Sequence, residues 1–182
     1  VGSEMCIRDR TEKMAAIQAG HGLEEGTTLG PLISAKQRDS VAKLVERALE
    51  QGATATTGGE RPDGAGFFYP ATVLANVPDD AEILRQEIFG PVATVTTFST
   101  LEEGVAKAND TEFGLAAYAF TENFHTAEYL AHALEAGMVG INRAAISDAA
   151  APFGGIKESG FGREGGAEGI EEYISVRYIA KP

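Results

Sequence analysis

The sequence has 182 residues but a single cysteine and no tryptophan. With Cys6 as the lone thiol, an internal disulfide framework and a cysteine-cluster metal site are both excluded. Such cysteine poverty fits a reducing, cytoplasmic setting. Basic residues are also scarce: 15 Lys and Arg stand against 27 Asp and Glu, a formal net charge of −12. Nucleic acid and anionic membrane both require basic patches, so neither is an expected partner. No apolar run reaches the length of a membrane span. The N-terminus lacks the apolar core of a secretory signal. His21, His125 and His132 do not stand at ligand spacing, so no metal site is expected.

What is present is ordinary for a globular protein: 43% apolar and 23% charged residues, in a chain long enough for a real core. Residues 1–10 share no helical or strand period with the rest of the chain and read as a non-native or disordered segment. Ser34 is an expected N-cap, with Val41, Leu44, Val45, Ala48 and Leu49 on one helical face and Gly52 at the C-terminal end. A β-prone run, Ala53 to Thr57, stops at Gly58-Gly59. Phe67 to Leu74 reads as extended, with Pro70 placing it near an edge or bulge. Val92 to Phe98, Leu115 to Phe120 and Met138 to Ile141 read as strands. Leu101, Val105 and Ala108 mark one helix; Ala127, Leu130, Ala131 and Leu134 mark another. The alternation predicts an α/β layer structure with a mostly parallel sheet flanked by helices. A terminal strand is expected over Tyr173 to Ile179, of the kind that pairs with another domain or subunit.

Two stretches carry chemistry. Glu87-Ile88-Phe89-Gly90-Pro91 succeeds an acidic, helical-looking run, Asp79 to Gln86, and precedes a strand. Glu87 and Phe89 are two positions apart, which in an extended turn puts them on one side. A carboxylate accepts from vicinal hydroxyls and an aromatic packs on a ring, so the pair suits a ribose and a flat heterocycle. The alternative is a surface Glu and a core Phe. Residues 151 to 165, Ala-Pro-Phe-Gly-Gly-Ile-Lys-Glu-Ser-Gly-Phe-Gly-Arg-Glu-Gly, form a shaped glycine-rich loop. Gly160-x-Gly162-x-x-Gly165 within it matches a dinucleotide fingerprint, but without the strand before it or the acidic ribose partner beyond, so no phosphate-binding role is expected.

In order along the chain stand Gly30-Pro31-Leu32-Ile33, Glu87 to Pro91, Asn109-Asp110-Thr111-Glu112-Phe113-Gly114-Leu115, Gly140-Ile141-Asn142, and Pro152 to Gly165. From about Gly20 to the C-terminus this pattern resembles the aldehyde dehydrogenase superfamily. The resemblance implies that Glu87 holds the nicotinamide ribose of NAD or NADP, that Phe89 packs near the nicotinamide, and that Phe153 lies beside the aldehyde pocket. Asn142-x-x-x-Ile146-Ser147 is similar to succinate-semialdehyde dehydrogenases and implicates Ser147 in binding the substrate's distal carboxylate. Arg143 and Asp148 depart from that subfamily, which keeps glutarate semialdehyde or another small aldehyde open.

The family reaction needs a thiolate nucleophile. Cys6 lacks the surrounding Gly-Gln-x-Cys pattern, so no catalytic residue is assigned. The chain is expected to be an inactive C-terminal fragment: residues 11–165 a partial catalytic domain, residues 166–182 an oligomerisation tail serving a homodimer or homotetramer when full length. A catalytically dead oligomerising or binding protein is the competing reading.

Overall fold

The structure is a computed structural model that describes residues 2–182. It divides into two compact units, Val1–Thr97 and Phe98–Pro182. No helix among the described residues is long and apolar enough to cross a membrane.

In the first unit, α1 spans Gly2–Ala15, so residues 2–10 are helical rather than irregular. Their sequence hides the helix because only Ile7, Thr11 and Met14 are partly shielded, a stripe too narrow to stand out among polar residues. Thr11 meets Thr56 through their hydroxyls at 2.6 Å. Helix α2, Ala35–Glu50, begins where expected: the Ser34 side chain accepts from the Gln37 amide at 3.1 Å. It buries Arg38, Val41, Ala42, Leu44, Val45 and Ala48, and Gly52 beyond its end takes φ +110.

Strands β1 (Thr54–Thr57), β2 (Thr72–Ala75) and β3 (Val92–Thr94) form a sheet in that order. β1 and β2 are antiparallel; β2 and β3 are parallel. Every residue of β2 is buried. Pro70 therefore does not mark an edge, but the segment does meet a bulge or irregularity, where the β1–β2 register shifts between Ala55 and Thr57. Pro70 itself lies ahead of the central strand, where its missing N–H breaks no ladder bond. Gly58, φ +66, passes so close to Thr72 that a side chain would strike the Thr72 hydroxyl and, at 2.6 Å, the Ala71 carbonyl. The core joins α2 to Tyr69, Leu74, Val77, Ala81 and Ile83. The acidic run before Glu87 is helical only as one 3-10 turn, Glu82–Leu84.

In the second unit, α3 (Leu101–Asn109) and α4 (Phe124–Ala133) are capped by Thr100 and Asn123, whose side chains accept from Glu103 and Thr126 amides. The Glu103 carboxylate in turn accepts from Ser99 N–H at 2.8 Å, which holds its pKa below the usual carboxylate value, with help from Lys107. β4 (Phe113–Gly114) pairs antiparallel with β7 (Ile156–Lys157). β5 (Ala116–Ala119) pairs parallel with β6 (Met138–Ile141), and α4 makes the crossover between them. The α/β class is as expected, with parallel and antiparallel pairs both present.

The expected terminal strand is absent. A 3-10 helix covers Glu168–Tyr173, and residues 174–182 carry no regular structure. Without ladder hydrogen bonds a β-prone segment does not become a strand.

Candidate functional site

The Glu87–Pro91 corner is built on the first unit's core. Ile88 packs against that core, while Glu87 and Phe89 on either side of it are exposed. Both side chains therefore lie outside that core. The corner is not extended throughout, however: Phe89 adopts φ +48, the left-handed region that a residue with a Cβ enters at a cost of roughly 1–3 kcal/mol. Its ring is 72% exposed, so burial of the ring does not offset that strain. Gly90 is pressed onto α2, where an added Cβ would lie 2.7 Å from a Val41 methyl. The chain then joins the sheet, with Thr72 N–H donating to the Pro91 carbonyl at 2.8 Å.

The glycine-rich loop of the second unit is a closed structure. Phe153 and Glu164 exchange backbone hydrogen bonds at 2.6 and 2.7 Å, joining its two arms. Arg163 donates from Nη1 to the Gly155 and Gly162 carbonyls at 2.8 and 2.6 Å. Lys157, at φ +54, donates from Nζ to the Asn109 and Thr111 carbonyls and pairs with Glu135 at 2.7 Å. The Ser159 hydroxyl accepts from Gly114 N–H at 3.0 Å. Arg163, Lys157 and Ser159 thus fix the loop's shape through backbone atoms. Their charged and polar character in the sequence signals this role, since lone glycines alone would make a linker.

Phe153 lines a cleft of about 920 Å³, together with Leu115, Phe161, Arg163, Ile170 and Tyr173. Ser147 is exposed and is not part of that lining. It belongs to the irregular connection that leaves the C-terminal end of β6, beside the C-terminal end of β5. In open α/β sheets that end of parallel strands is where ligands collect. The connection starts from a fixed point. Asn142, φ +53, accepts from Thr121 N–H at 2.9 Å and donates to the Thr121 carbonyl at 2.8 Å with its side-chain amide. One side chain thereby adds a rung to the β5–β6 ladder.

The Gly160 to Gly165 spacing does not make a phosphate cradle. The Glu172 carboxylate sits against Gly162, and the next helix is 3-10 rather than α. No group of three or more His, Cys, Asp or Glu among the described residues could hold a metal ion. Cys6 is exposed on α1.

Comparison with known proteins identifies the family. The model of the aldehyde dehydrogenase family matches residues 3–179, and the chain belongs to that family. It is 52% identical over 166 residues to a succinate-semialdehyde dehydrogenase of Paenarthrobacter nicotinovorans, covering 91% of this chain and 37% of that protein. A glutarate-semialdehyde dehydrogenase of Pseudomonas putida is 46% identical over 172 residues, covering 92% and 35%. Among solved structures, the NAD+ complex of an aldehyde dehydrogenase from Bacillus cereus superposes with a TM-score of 0.92 at 40% identity, covering 96% of this chain and 36% of that one. The chain therefore spans about a third of the length of the relatives it matches.

Proposed function

We propose that this chain supplies the nicotinamide-ribose and aldehyde-side surfaces of an NAD- or NADP-dependent semialdehyde dehydrogenase acting on succinate semialdehyde. The observation that carries this reading is the exposed, left-handed Phe89 beside exposed Glu87. A fold rarely spends backbone strain on presenting an aromatic ring to water unless the ring has something to meet. Glu87 is placed to accept from the two ribose hydroxyls, and the Phe89 ring offers an apolar face to the nicotinamide. When bound, the cofactor supplies the hydride acceptor. Ser147 donates a hydroxyl to the distal carboxylate of the substrate, Arg143 on the same exposed connection adds positive charge, and Phe153 bounds the aldehyde side. The Paenarthrobacter relative supports succinate semialdehyde; the Pseudomonas relative supports glutarate semialdehyde as the second substrate reading.

The family chemistry runs through a thiolate, and Cys6 is the sequence's one thiol, on an exposed helix. We therefore read this chain as inactive by itself. The exposed side chains of Tyr173, Val176 and Tyr178 support an assembly role for residues 166–182. The test is an NMR titration of the purified chain with nicotinamide mononucleotide, and separately with succinate. Shifts are expected at Glu87 and Phe89 in the first case and at Ser147 in the second. Mononucleotide shifts that avoid residues 87–91 would refute the cofactor assignment. Oxidation of succinate semialdehyde by the chain, abolished by Cys6→Ala, would refute its inactivity.

A further inference from the structure

Gln37 stands three residues after the N-cap Ser34, in the Ser-x-x-Gln spacing of a capping box. In that motif the third residue's side chain turns back to satisfy the N-cap amide. Here half the motif operates: Ser34 accepts from Gln37 N–H at 3.1 Å. The Gln37 side chain is used elsewhere. Its Nε2 donates to the Ile88 carbonyl at 3.2 Å and to the Phe89 carbonyl at 3.2 Å, 51 and 52 residues along the chain. A primary amide has two N–H groups, enough to serve both carbonyls. Both acceptors lie in the strained turn, and one of them belongs to the left-handed residue itself.

We propose that Gln37 is a positioning residue that holds Phe89 in its left-handed conformation and so presents Glu87 and Phe89 to the ligand. Its effect on ligand binding rests on the reading of that corner as a nicotinamide-ribose site; its hold on the backbone does not. A left-handed phenylalanine persists only where its surroundings hold it there. The other restraints on the corner, Ile88 on the core, Gly90 against Val41 and Pro91 bonded to Thr72, fix where the chain lies rather than the rotation at Phe89. Gln37 ties together the two carbonyls on either side of that rotation.

The test uses the whole purified chain, isotopically labelled. Gln37→Met keeps length and helix propensity but cannot donate; Gln37→Glu keeps the shape and presents only acceptors to the two carbonyls. The φ-sensitive coupling between the amide and α protons of Phe89 reports the turn directly. In both variants it is expected to leave its left-handed value, while the signals of Val45 and Leu74 in the core stay in place. Affinity for nicotinamide mononucleotide is expected to fall about tenfold, the size of effect one or two neutral hydrogen bonds carry. Gln37→Lys restores a donor and is expected to restore the Phe89 signature. A left-handed coupling that survives both Met and Glu would overturn the assignment, as would failure of Lys to rescue. If mononucleotide leaves the corner of the unaltered chain unmoved, the cofactor reading falls, and the coupling alone decides the role of Gln37.

Discussion

The two units are stabilised by different means. Every buried hydrophobic side chain of the core lies before Thr97, from Val41 to Ile83. Beyond Phe98, the buried residues among those described are Gly114, Gly140 and Gly155. The first unit is held by apolar side chains removed from water. The second is held by backbone contacts, caps and side-chain-to-carbonyl ties, while Leu115, Tyr118, Phe120, Phe124 and Tyr129 remain exposed. Apolar burial tolerates local rearrangement as long as volume is conserved, whereas backbone contact through glycine does not. The difference separates a supporting body, which carries the Glu87–Pro91 corner, from a shaped surface, which carries Ser147 and Phe153.

The largest effect expected from testing this contrast is in the core. Leu74→Ala, at a fully buried position, is expected to cost about 2–5 kcal/mol in urea melts tracked through core signals. The same truncation at Leu115, which is 42% exposed, is expected to cost under about 1 kcal/mol. Equal losses would erase the distinction between the units.

Alkaline pH probes the first unit alone. Tyr69 is 1% exposed, its hydroxyl has no hydrogen-bond partner, and burial pushes its pKa up to about 12, with the Glu46 charge adding to the rise. The folded state keeps this proton where the unfolded chain loses it. The contribution is intact below pH ~10 and lost as pH rises to about 12, a loss on the order of 2 kcal/mol. Alkaline denaturation of the chain and of Tyr69→Phe measures it; coincident curves would show that Tyr69 contributes nothing.

Glycine contacts probe the second unit. At Gly137 a methyl group would collide with the Gly154 carbonyl and lie 2.9 Å from Gly155 Cα. Gly137→Ala is expected to cost about 1–3 kcal/mol, read as faster hydrogen exchange confined to residues after Phe98. Exchange that quickens equally around Leu74 would contradict that confinement. The smallest effect has the opposite sign. Phe89→Gly removes the left-handed penalty and is expected to stabilise the first unit by up to about 1 kcal/mol in thermal melts, while weakening mononucleotide binding.

Legibility in the sequence follows local marks rather than the division into units. The helices α2, α3 and α4 and strands β1, β3, β5 and β6 are readable because caps and apolar spacing mark them locally. α1 is not, because its shielded stripe is one residue wide. The strand expected at Tyr173 to Ile179 is one that pairs with another domain or subunit, and within this chain the segment has no partner strand. At the site, motif order points to Glu87, Phe89, Ser147 and Phe153. Gln37 is invisible as part of it, because a Ser-x-x-Gln pattern reads as local capping and its second use depends on a residue 52 positions away. Likewise Arg163 and Lys157 belong to a legible motif, but their carbonyl acceptors are known only once the loop is folded.

The Asn142 rung depends on one nitrogen atom. Hydrolysis of that side-chain amide, the ordinary ageing reaction of asparagine, would exchange its donating nitrogen for a carboxylate oxygen. That oxygen would face the Thr121 carbonyl, lone pair against lone pair, at the point where the chain toward Ser147 departs. A change at that one atom would loosen the mooring of the whole connection.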